Sequence, residues 1–462
     1  MRWFLSFLIL GFWGAVRALS SSGNRLLVVL EEASEKDLYS TFWGDLKARG
    51  YNIFFESPKN EKLSLFQHGA RAYDHLLILP PKSKGLGPAL TPKLILDFLN
   101  KEGNVLLALS GRSSTPSALS SLLLELDIHL STDRSSVVVD HFNYDILSAS
   151  ERHDVLLLQR PGALRPDTKS FFSGDGILAI PRAAPQALGS ASPLLTPILR
   201  APETAYSYNP KESGSVEDPF ATGTQLALIS AMQARNSARF TVLGSVESLE
   251  DEWFDATVQR PNDGEQTTTV NRKFAEQLTA WAFKETGVLK VGKIEHYLSD
   301  KDGAIVGDLN PKIYRIKNNV TFNIELSEYA LDRFVPFEVP DGDAVQLEFT
   351  MLSPFHRLPL LLSRRTENST IYSTTFTLPD QHGIFSFRVN YERPFLTNVV
   401  EKHEVTVRHF AHNEFPRSWE ISAGWVWIAG LWSVIGGFLA FVIVWLYSEP
   451  SSAAEAKIKK VQ

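Results

Sequence analysis

The densest group of side chains able to do chemistry is Asp140-His141-Phe142-Asn143-Tyr144-Asp145, where carboxylates, an imidazole, an amide and a phenol follow one another closely. Such residue types can supply a metal ligand or a general base. His141 has no partner at recognisable ligand spacing, such as a second histidine four residues away on a helix. The run follows a predicted strand at 137–139, and its Asp and Asn residues read best as a turn closed by side-chain to backbone hydrogen bonds.

Ser110-Gly111 is the second candidate, because it follows a strand predicted at 105–109 and doubly wound folds place functional loops at strand C-termini. No G-x-S-x-G elbow surrounds it, and Arg112, Ser113 and Ser114 read as a polar loop. Gly103, at the end of a predicted helix, reads as a C-cap. No glycine-rich phosphate loop follows any predicted strand, so nucleotide binding has no support. The chain contains no cysteine, which excludes thiol nucleophiles, thiolate metal sites and disulfides. No catalytic residue, cofactor or metal is expected. Formal net charge is -6 with acids and bases mixed, and no basic stretch marks a nucleic-acid surface.

The elements that would position these candidates follow from hydrophobic periodicity. Apolar runs at 26–30, 51–55, 75–79 and 105–109 read as buried strands, with helices at 38–49 and 92–101 between them. Continuous apolar strands separated by helices require a parallel sheet covered on both faces, so residues 19–135 are expected to form an α/β domain. Residues 136–292 are less regular but offer strands at 137–139, 155–158, 177–180, 225–229 and 240–243 and a helix at 272–286. They form a middle α/β region, separate from the first or continuous with it. The Pro-, Ser- and Ala-rich stretch 185–210 and the polar stretch 211–219 read as a long connection or insertion.

After residue 293 the period changes to two. Val320, Phe322, Ile324 and Leu326 alternate with polar neighbours, as do Val345, Leu347, Phe349 and Met351, and Phe385, Phe387, Val389 and Tyr391. Residues 293–410 are therefore expected to form a β-sandwich. Two sequons, Asn319-Val320-Thr321 and Asn368-Ser369-Thr370, lie within or beside its strands and are candidate N-glycosylation sites.

Both chain ends carry membrane signals. Residues 1–18 read as a secretory signal peptide, with Arg2 before an apolar run and small residues at the cleavage positions Val16 and Ala18. Residues 421–447 form an uncharged apolar span, long enough to cross roughly 30 Å of hydrocarbon. Trp425, Trp427 and Trp432 lie towards one end and Trp445 and Tyr447 towards the other, as interfacial rings do. The expected topology is single-pass type I with residues 448–462 in the cytosol. Lys459 and Lys460 match a dilysine retrieval pattern for the endoplasmic reticulum. Ala429, Ser433 and Gly437 recur every four residues, with Gly436 and Ala440 beside them, and offer a small-residue face to another membrane helix.

The order of motifs resembles the 48 kDa subunit family of oligosaccharyltransferase, in its fungal, wheat-germ-agglutinin-binding form. The resemblance runs through Tyr73-Asp74-His75-Leu76, Val139-Asp140-His141-Phe142-Asn143-Tyr144-Asp145 and Gln233-Ala234-Arg235-Asn236-Ser237-Ala238-Arg239. It continues through Trp281-Ala282-Phe283-Lys284-Glu285-Thr286-Gly287-Val288-Leu289, Val345-Gln346-Leu347-Glu348-Phe349 and Leu378-Pro379-Asp380. It implies a noncatalytic assembly subunit in the endoplasmic reticulum membrane, whose complex transfers oligosaccharide from dolichyl diphosphate to asparagine. It also implies an N-terminal fold similar to class I glutamine amidotransferases, here without the nucleophilic cysteine. The implied partners are the catalytic multispanning subunit, a ribophorin II-type subunit and a defender-against-cell-death-type subunit. The other class of function that the residues leave open is an independent lumenal hydrolase or glycan-binding module, with Ser110 or His141 at its site.

Overall fold

The computed structural model describes residues 20–83, 85–133, 135–190, 192–210, 218–261, 265–300, 304–415 and 424–448. The signal segment expected at 1–18 and the tail with Lys459 and Lys460 lie outside the described residues. The chain divides into two bodies, residues 1–408 and 409–462.

The first body is organised around a nine-stranded sheet. Its strands are β1 (Arg25–Val29), β2 (Asn52–Glu56), β3 (His75–Ile78), β4 (Asn104–Ala108), β5 (Ile128–Leu130), β6 (Gln186–Leu188), β7 (Leu195–Arg200), β8 (Leu226–Gln233) and β9 (Arg239–Leu243). They lie in the order β2-β1-β3-β4-β9-β8-β6-β5, with β7 also paired to β8. Pairing is parallel from β2 to β9 and antiparallel beyond it. Strands from 19–135 and 136–292 thus share one sheet, joined where β4 meets β9 and where β5 meets β6.

Alternate residues of the parallel strands feed two cores. Leu26, Val28, Leu77 and Leu106 pack with Phe42, Trp43 and Leu46 of the helix Ser40–Ala48 and with Phe274, Leu278 and Trp281 of the helix Asn271–Ala282. Leu27, Val29, Leu76 and Val105 pack with Ile95, Phe98 and Leu99 of the helix Pro92–Asn100 and with Leu119, Leu122 and Leu123 of the helix Ser117–Glu125. Each fully buried large apolar side chain contributes roughly 1.5–3 kcal/mol, which makes these two layers the dominant stabilising term.

Several expectations need correction. The stretch 185–210 holds strands β6, β7 and Tyr206–Tyr208 and is not a plain connection. Pro197 is tolerated because β7 pairs only with β8, and its register shifts beside that proline. The strand Val137–Val139 pairs with Tyr206–Tyr208, and Val155–Gln159 pairs with Ile177–Pro181, outside the main sheet. Gly103 is not the left-handed cap of its helix, since that position belongs to Glu102 at φ 66°. Gly103 is needed because a Cβ there would lie 2.3 Å from the Phe98 ring.

Residues from Val288 to Arg408 form two five-stranded sheets. Their strands are β10 (Val288–Leu298), β11 (Ile313–Arg315), β12 (Asn319–Ala330), β13 (Arg333–Pro336), β14 (Gln346–Thr350), β15 (Pro354–Pro359), β16 (Leu361–Arg365), β17 (Thr370–Thr377), β18 (Gly383–Tyr391) and β19 (Val399–Arg408). One sheet runs β10-β12-β17-β16 with β13 on β12, and the other runs β11-β19-β18-β14-β15. Phe322 of β12 stacks on Phe387 of β18 with ring centres 5.4 Å apart, and Phe376 of β17 meets Phe349 of β14 edge-on at 5.5 Å. Alternate residues of the two sheets therefore meet, as the period of two requires.

Met351 departs from that pattern. The pairing of β14 with β15 shifts register between Phe349 and Thr350, so the strand ends at Thr350 and Met351 turns outward.

In the second body, Gly424–Tyr447 is a 24-residue helix that is apolar and long enough to cross a membrane.

Candidate functional site

A hollow in the first body lies at the C-terminal ends of the parallel strands and measures about 220 Å³. Its walls come from Tyr39 after β1, Leu79 and Pro80 after β3, Ser110 and Arg112 after β4, and Glu247 and Glu250 after β9. Crossover connections bring these loops together, which is why doubly wound sheets bind ligands there. Glu247 is almost fully buried and is held by Arg182 and Arg112; Arg182 Nε donates to Glu247 Oε2 at 2.5 Å and Arg112 Nε lies 2.9 Å from Oε1. Burial pushes the Glu247 carboxyl up, against the pull of Arg182. Burial also raises Glu250, and the charge of Glu247 adds to that.

Ser110 does reach this hollow, but its Oγ accepts a hydrogen bond from the backbone N–H of Arg112 at 3.0 Å. The lining contains no histidine, and the chain has no cysteine. The arrangement can hold a small polar group between a carboxylate and a guanidinium. It does not present a serine activated by an imidazole.

The Asp140–Asp145 run draws partners from distant loops as well as from its own turn. Asp140 is fully buried, and its carboxylate accepts from the N–H of Phe142 at 2.8 Å, from Asn143 Nδ2 at 3.0 Å and from the Thr204 hydroxyl. Asp145 caps the short helix Ile146–Ala149, accepting from Ser148 N at 3.0 Å, and also accepts from Gln259 N at 2.8 Å. These are the turn-closing bonds that Asp residues provide.

His141 does have a partner, His153, with Nδ1 atoms 2.5 Å apart. His141 Nε2 lies 2.9 Å from the Tyr206 hydroxyl, while His153 Nε2 lies 3.2 Å from the Ser150 carbonyl and its ring stacks on Tyr144. One proton arrangement satisfies every atom: Tyr206 donates to His141, His141 Nδ1–H donates to His153, and His153 Nε2–H donates to Ser150. All four ring nitrogens are then occupied. Among the described residues, no group of three or more His, Asp or Glu is arranged to hold a metal. His153 was invisible in the sequence because it comes from the next loop, with a left-handed backbone at φ 52°.

Of the other motifs, 233–239 and 281–289 fall at the joint between the large sheet and the sheet pair, with 73–76 packed close to the second of them. Arg239 is completely buried; it donates to the Trp281 carbonyl and, at 2.8 Å each, to those of Thr286 and Gly287. Trp281 Nε1 donates to Phe395 O at 2.8 Å, and Gln233 Nε2 donates to Leu396 O at 2.5 Å. Glu285, also fully buried, accepts from Arg49 and, at 2.6 Å, from the Tyr51 hydroxyl. Asp74 pairs with Arg25 at 2.8 Å. His75 is bracketed by Asn104 Nδ2 on Nδ1 and Gly23 O on Nε2. Burial lowers His75 to about 4 and Lys284 to about 8.

Of the sequon asparagines, Asn368 is exposed in the turn before β17, whereas Asn319 is half-buried and accepts from the Thr377 hydroxyl at 2.7 Å. Both sequon threonines, Thr321 and Thr370, are buried. Ala429, Ser433, Gly436, Gly437 and Ala440 lie within the apolar helix, where Ser433 Oγ donates to Gly430 O at 2.7 Å. A Cβ on Gly436 or Gly437 would touch nothing within 4 Å.

Comparison with known proteins adds a family pattern. A model described as "OST48, N-terminal domain" matches residues 17–285, and one described as "OST48 middle domain" matches residues 297–449. The chain is 34% identical over 437 residues to the dolichyl-diphosphooligosaccharide–protein glycosyltransferase subunit wbp1 of Schizosaccharomyces pombe, covering 91% of this chain and 92% of that protein. It is 31% identical over 468 residues to the 48 kDa subunit of the same transferase from Caenorhabditis elegans, covering 99% and 98%. Among solved structures, a glutamine amidotransferase from Thermotoga maritima is similar at 11% identity over 48% of this chain and 75% of that one, with a TM-score of 0.22.

Proposed function

The chain belongs to the OST48 family, and on that premise we propose that it is a noncatalytic, structural subunit of the oligosaccharyltransferase complex. In this role it supports transfer of oligosaccharide from dolichyl diphosphate to asparagine in sequons of nascent proteins. The observation that carries the noncatalytic reading is where the polar motif residues point. Asp74, His75, Asp140, Asp145, Gln233, Arg239 and Glu285 all make hydrogen bonds to groups of their own chain. Groups so engaged rigidify a body and hold its parts in register, which is what an assembly subunit needs.

The large sheet with its parallel half is read as a glutamine amidotransferase-like fold without the nucleophile, and the sheet pair as a β-sandwich. The helix Gly424–Tyr447 is read as a single membrane crossing of the endoplasmic reticulum, with the sheets lumenal and residues 448–462 cytosolic. Its face of Ala429, Ser433 and Gly437, with Gly436 and Ala440 beside it, would pack against membrane helices of neighbouring subunits. Candidate neighbours are the ribophorin II-type and defender-against-cell-death-type subunits, with the catalytic multispanning subunit supplying the chemistry. Lys459 and Lys460 would return unassembled chains.

The test is transfer to a sequon peptide by complexes carrying Ser110→Ala or His141→Ala. Unchanged turnover per assembled complex is expected. Loss of turnover with full assembly would overturn the noncatalytic reading in favour of a site on this chain. In parallel, Ser433→Leu with Gly437→Leu should lower recovery of membrane partners in mild detergent.

A further inference from the structure

Strand register shows which loops share the end of the sheet pair from which the chain leaves toward the apolar helix. β19 finishes at Arg408, and Val407 stands opposite Gly383 at the start of β18. Thr350 at the end of β14 stands opposite Ser386, which brings the turn 351–353 beside Gly383; a Cβ on Gly383 would lie 2.8 Å from Met351 Sδ. β11 runs parallel to β19 and ends with Arg315 beside Arg408. In the other sheet, Ser299 N donates to Asn319 O at 3.0 Å, placing the loop that carries Ile305 and Val306 at this same end. Ile316 N donates to Arg408 O at 2.9 Å and fastens the first sheet's entry to the second sheet's exit.

Exposed apolar side chains gather on neighbouring loops at this end, whereas at the other Leu331 (49%) and Val400 (55%) stand on separate sheets. Leu352 is 98% exposed, Ile384 66%, Ile305 56% and Val306 50%, and Met351 has been turned outward by the register shift described above. Single exposed apolar residues are ordinary, but a group of them on neighbouring loops marks a contact surface. The opposite ends of β14 and β17 carry Asp341, Glu367 and Asn368, all exposed and polar.

The tether keeps the apolar end within reach of the bilayer. Residues 409–423 join Arg408 to Gly424 of the helix, a reach of no more than about 58 Å even fully extended. We propose that this end of the sheet pair rests in the lipid surface, with Leu352 and its neighbours among the headgroups. Exposed charges there carry both signs, Lys312, Lys317 and Arg408 with Asp308 and Asp380, and Lys317 pairs with Asp380 at 3.4 Å. Insertion of apolar side chains, not attraction to anionic lipid, therefore makes the contact. The inference rests on the reading of Gly424–Tyr447 as a membrane crossing.

The absence of cysteine makes the test direct. Full-length chains with Leu352→Cys, Asp341→Cys or Leu439→Cys are labelled with an environment-sensitive fluorophore and placed in phosphatidylcholine nanodiscs containing doxyl-labelled lipid. Leu352→Cys should be quenched several-fold more than Asp341→Cys, with no loss of quenching at high salt. Quenching at position 352 no greater than at 341 would overturn the proposal, as would a blue shift without quenching, which would mean burial in protein. Leu439→Cys reads the anchor separately: quenched there but not at 352, only the surface contact fails; unquenched there, both fail. Leu352→Asp, at a position too exposed to disturb the fold, should reduce quenching of a probe at Ile305→Cys.

Discussion

The guanidinium of Arg239 lies over the ring of Trp281, 4.6 Å from its centre, while its nitrogens donate to three backbone carbonyls. Burial lowers Arg239 to about 9, so the carbonyls and the indole face together offset the loss of water. This pair ties the last parallel strand to the chain segment that enters the sheet pair.

Removing that cation should be among the most damaging single changes in the chain. Arg239→Ala takes one donor from each of three carbonyls, of which those of Trp281 and Gly287 keep the backbone N–H groups of Lys284 and Thr397, and opens a cavity beside Trp281; it is expected to cost about 3–5 kcal/mol. Thermal unfolding of the purified chain in detergent measures it, and proteolysis should speed up near residues 282–292.

Gly287 tests the same joint through the backbone. Its φ is +67°, and a Cβ there would lie 2.5 Å from the Phe395 carbonyl oxygen. Gly287→Ala should therefore lower stability by roughly 1–3 kcal/mol. Gly44→Ala, where a Cβ meets nothing within 4 Å, is the matched control and should not lower it.

Stability should fall in mild acid. Burial lowers both His75 and His296 to about 4, with the charge of His403 adding to the effect at His296. The unfolded chain binds protons at these histidines from about pH 6.5 downward, before the folded chain does. The contribution is complete above that pH and is lost as pH falls toward 4, with His75 alone worth on the order of 3 kcal/mol. Unfolding midpoints from pH 7.5 to 4.5 check the slope, and His75→Phe should flatten it.

The hydrogen-bonded His141 and His153 pair is predicted to be structural. His141→Phe should cost about 1–2 kcal/mol through its lost hydrogen bonds, with oligosaccharide transfer unchanged once the complex is assembled. Adding millimolar zinc should leave the unfolding midpoint of the wild-type chain where it was; a rise would assign the pair a metal.

Glycan attachment should separate the two sequons. Asn368 is exposed at the polar end, while Asn319 is bonded to Thr377 at the apolar end. Loss of one glycan's mobility shift is expected for Asn368→Gln and no shift for Asn319→Gln, read on denaturing gels before and after deglycosylation.

The inner parallel strands were legible because each is a continuous apolar run buried on both faces, a pattern few other elements share; β2, at the sheet edge, leaves Phe54 exposed. The alternation of Val320, Phe322, Ile324 and Leu326 was legible for the complementary reason. β7 was missed because Pro197 argues against a strand unless one side is known to be unpaired. The helix start at Ser40 was misplaced because its cap is remote: Asp251 accepts from Ser40 N at 3.0 Å and Thr41 N at 2.9 Å. The same holds for the candidate sites. Ser110 and Asp140 could be picked out by position, but Glu247, Arg182 and His153 join them only through tertiary folding, and no local spacing announces such partners.

The pairing of β4 with β9 also sets an order of events during synthesis. Strands β2, β1, β3 and β4 can align as soon as they are made, yet β4 then presents an unpaired edge until residues 239–243 have followed. Every copy must therefore pass through a stage with a sticky, half-finished sheet, and closure of so distant a pair is slow. Until that late strand arrives, the same edge is open to pairing with the wrong chain, whatever stability the finished fold has.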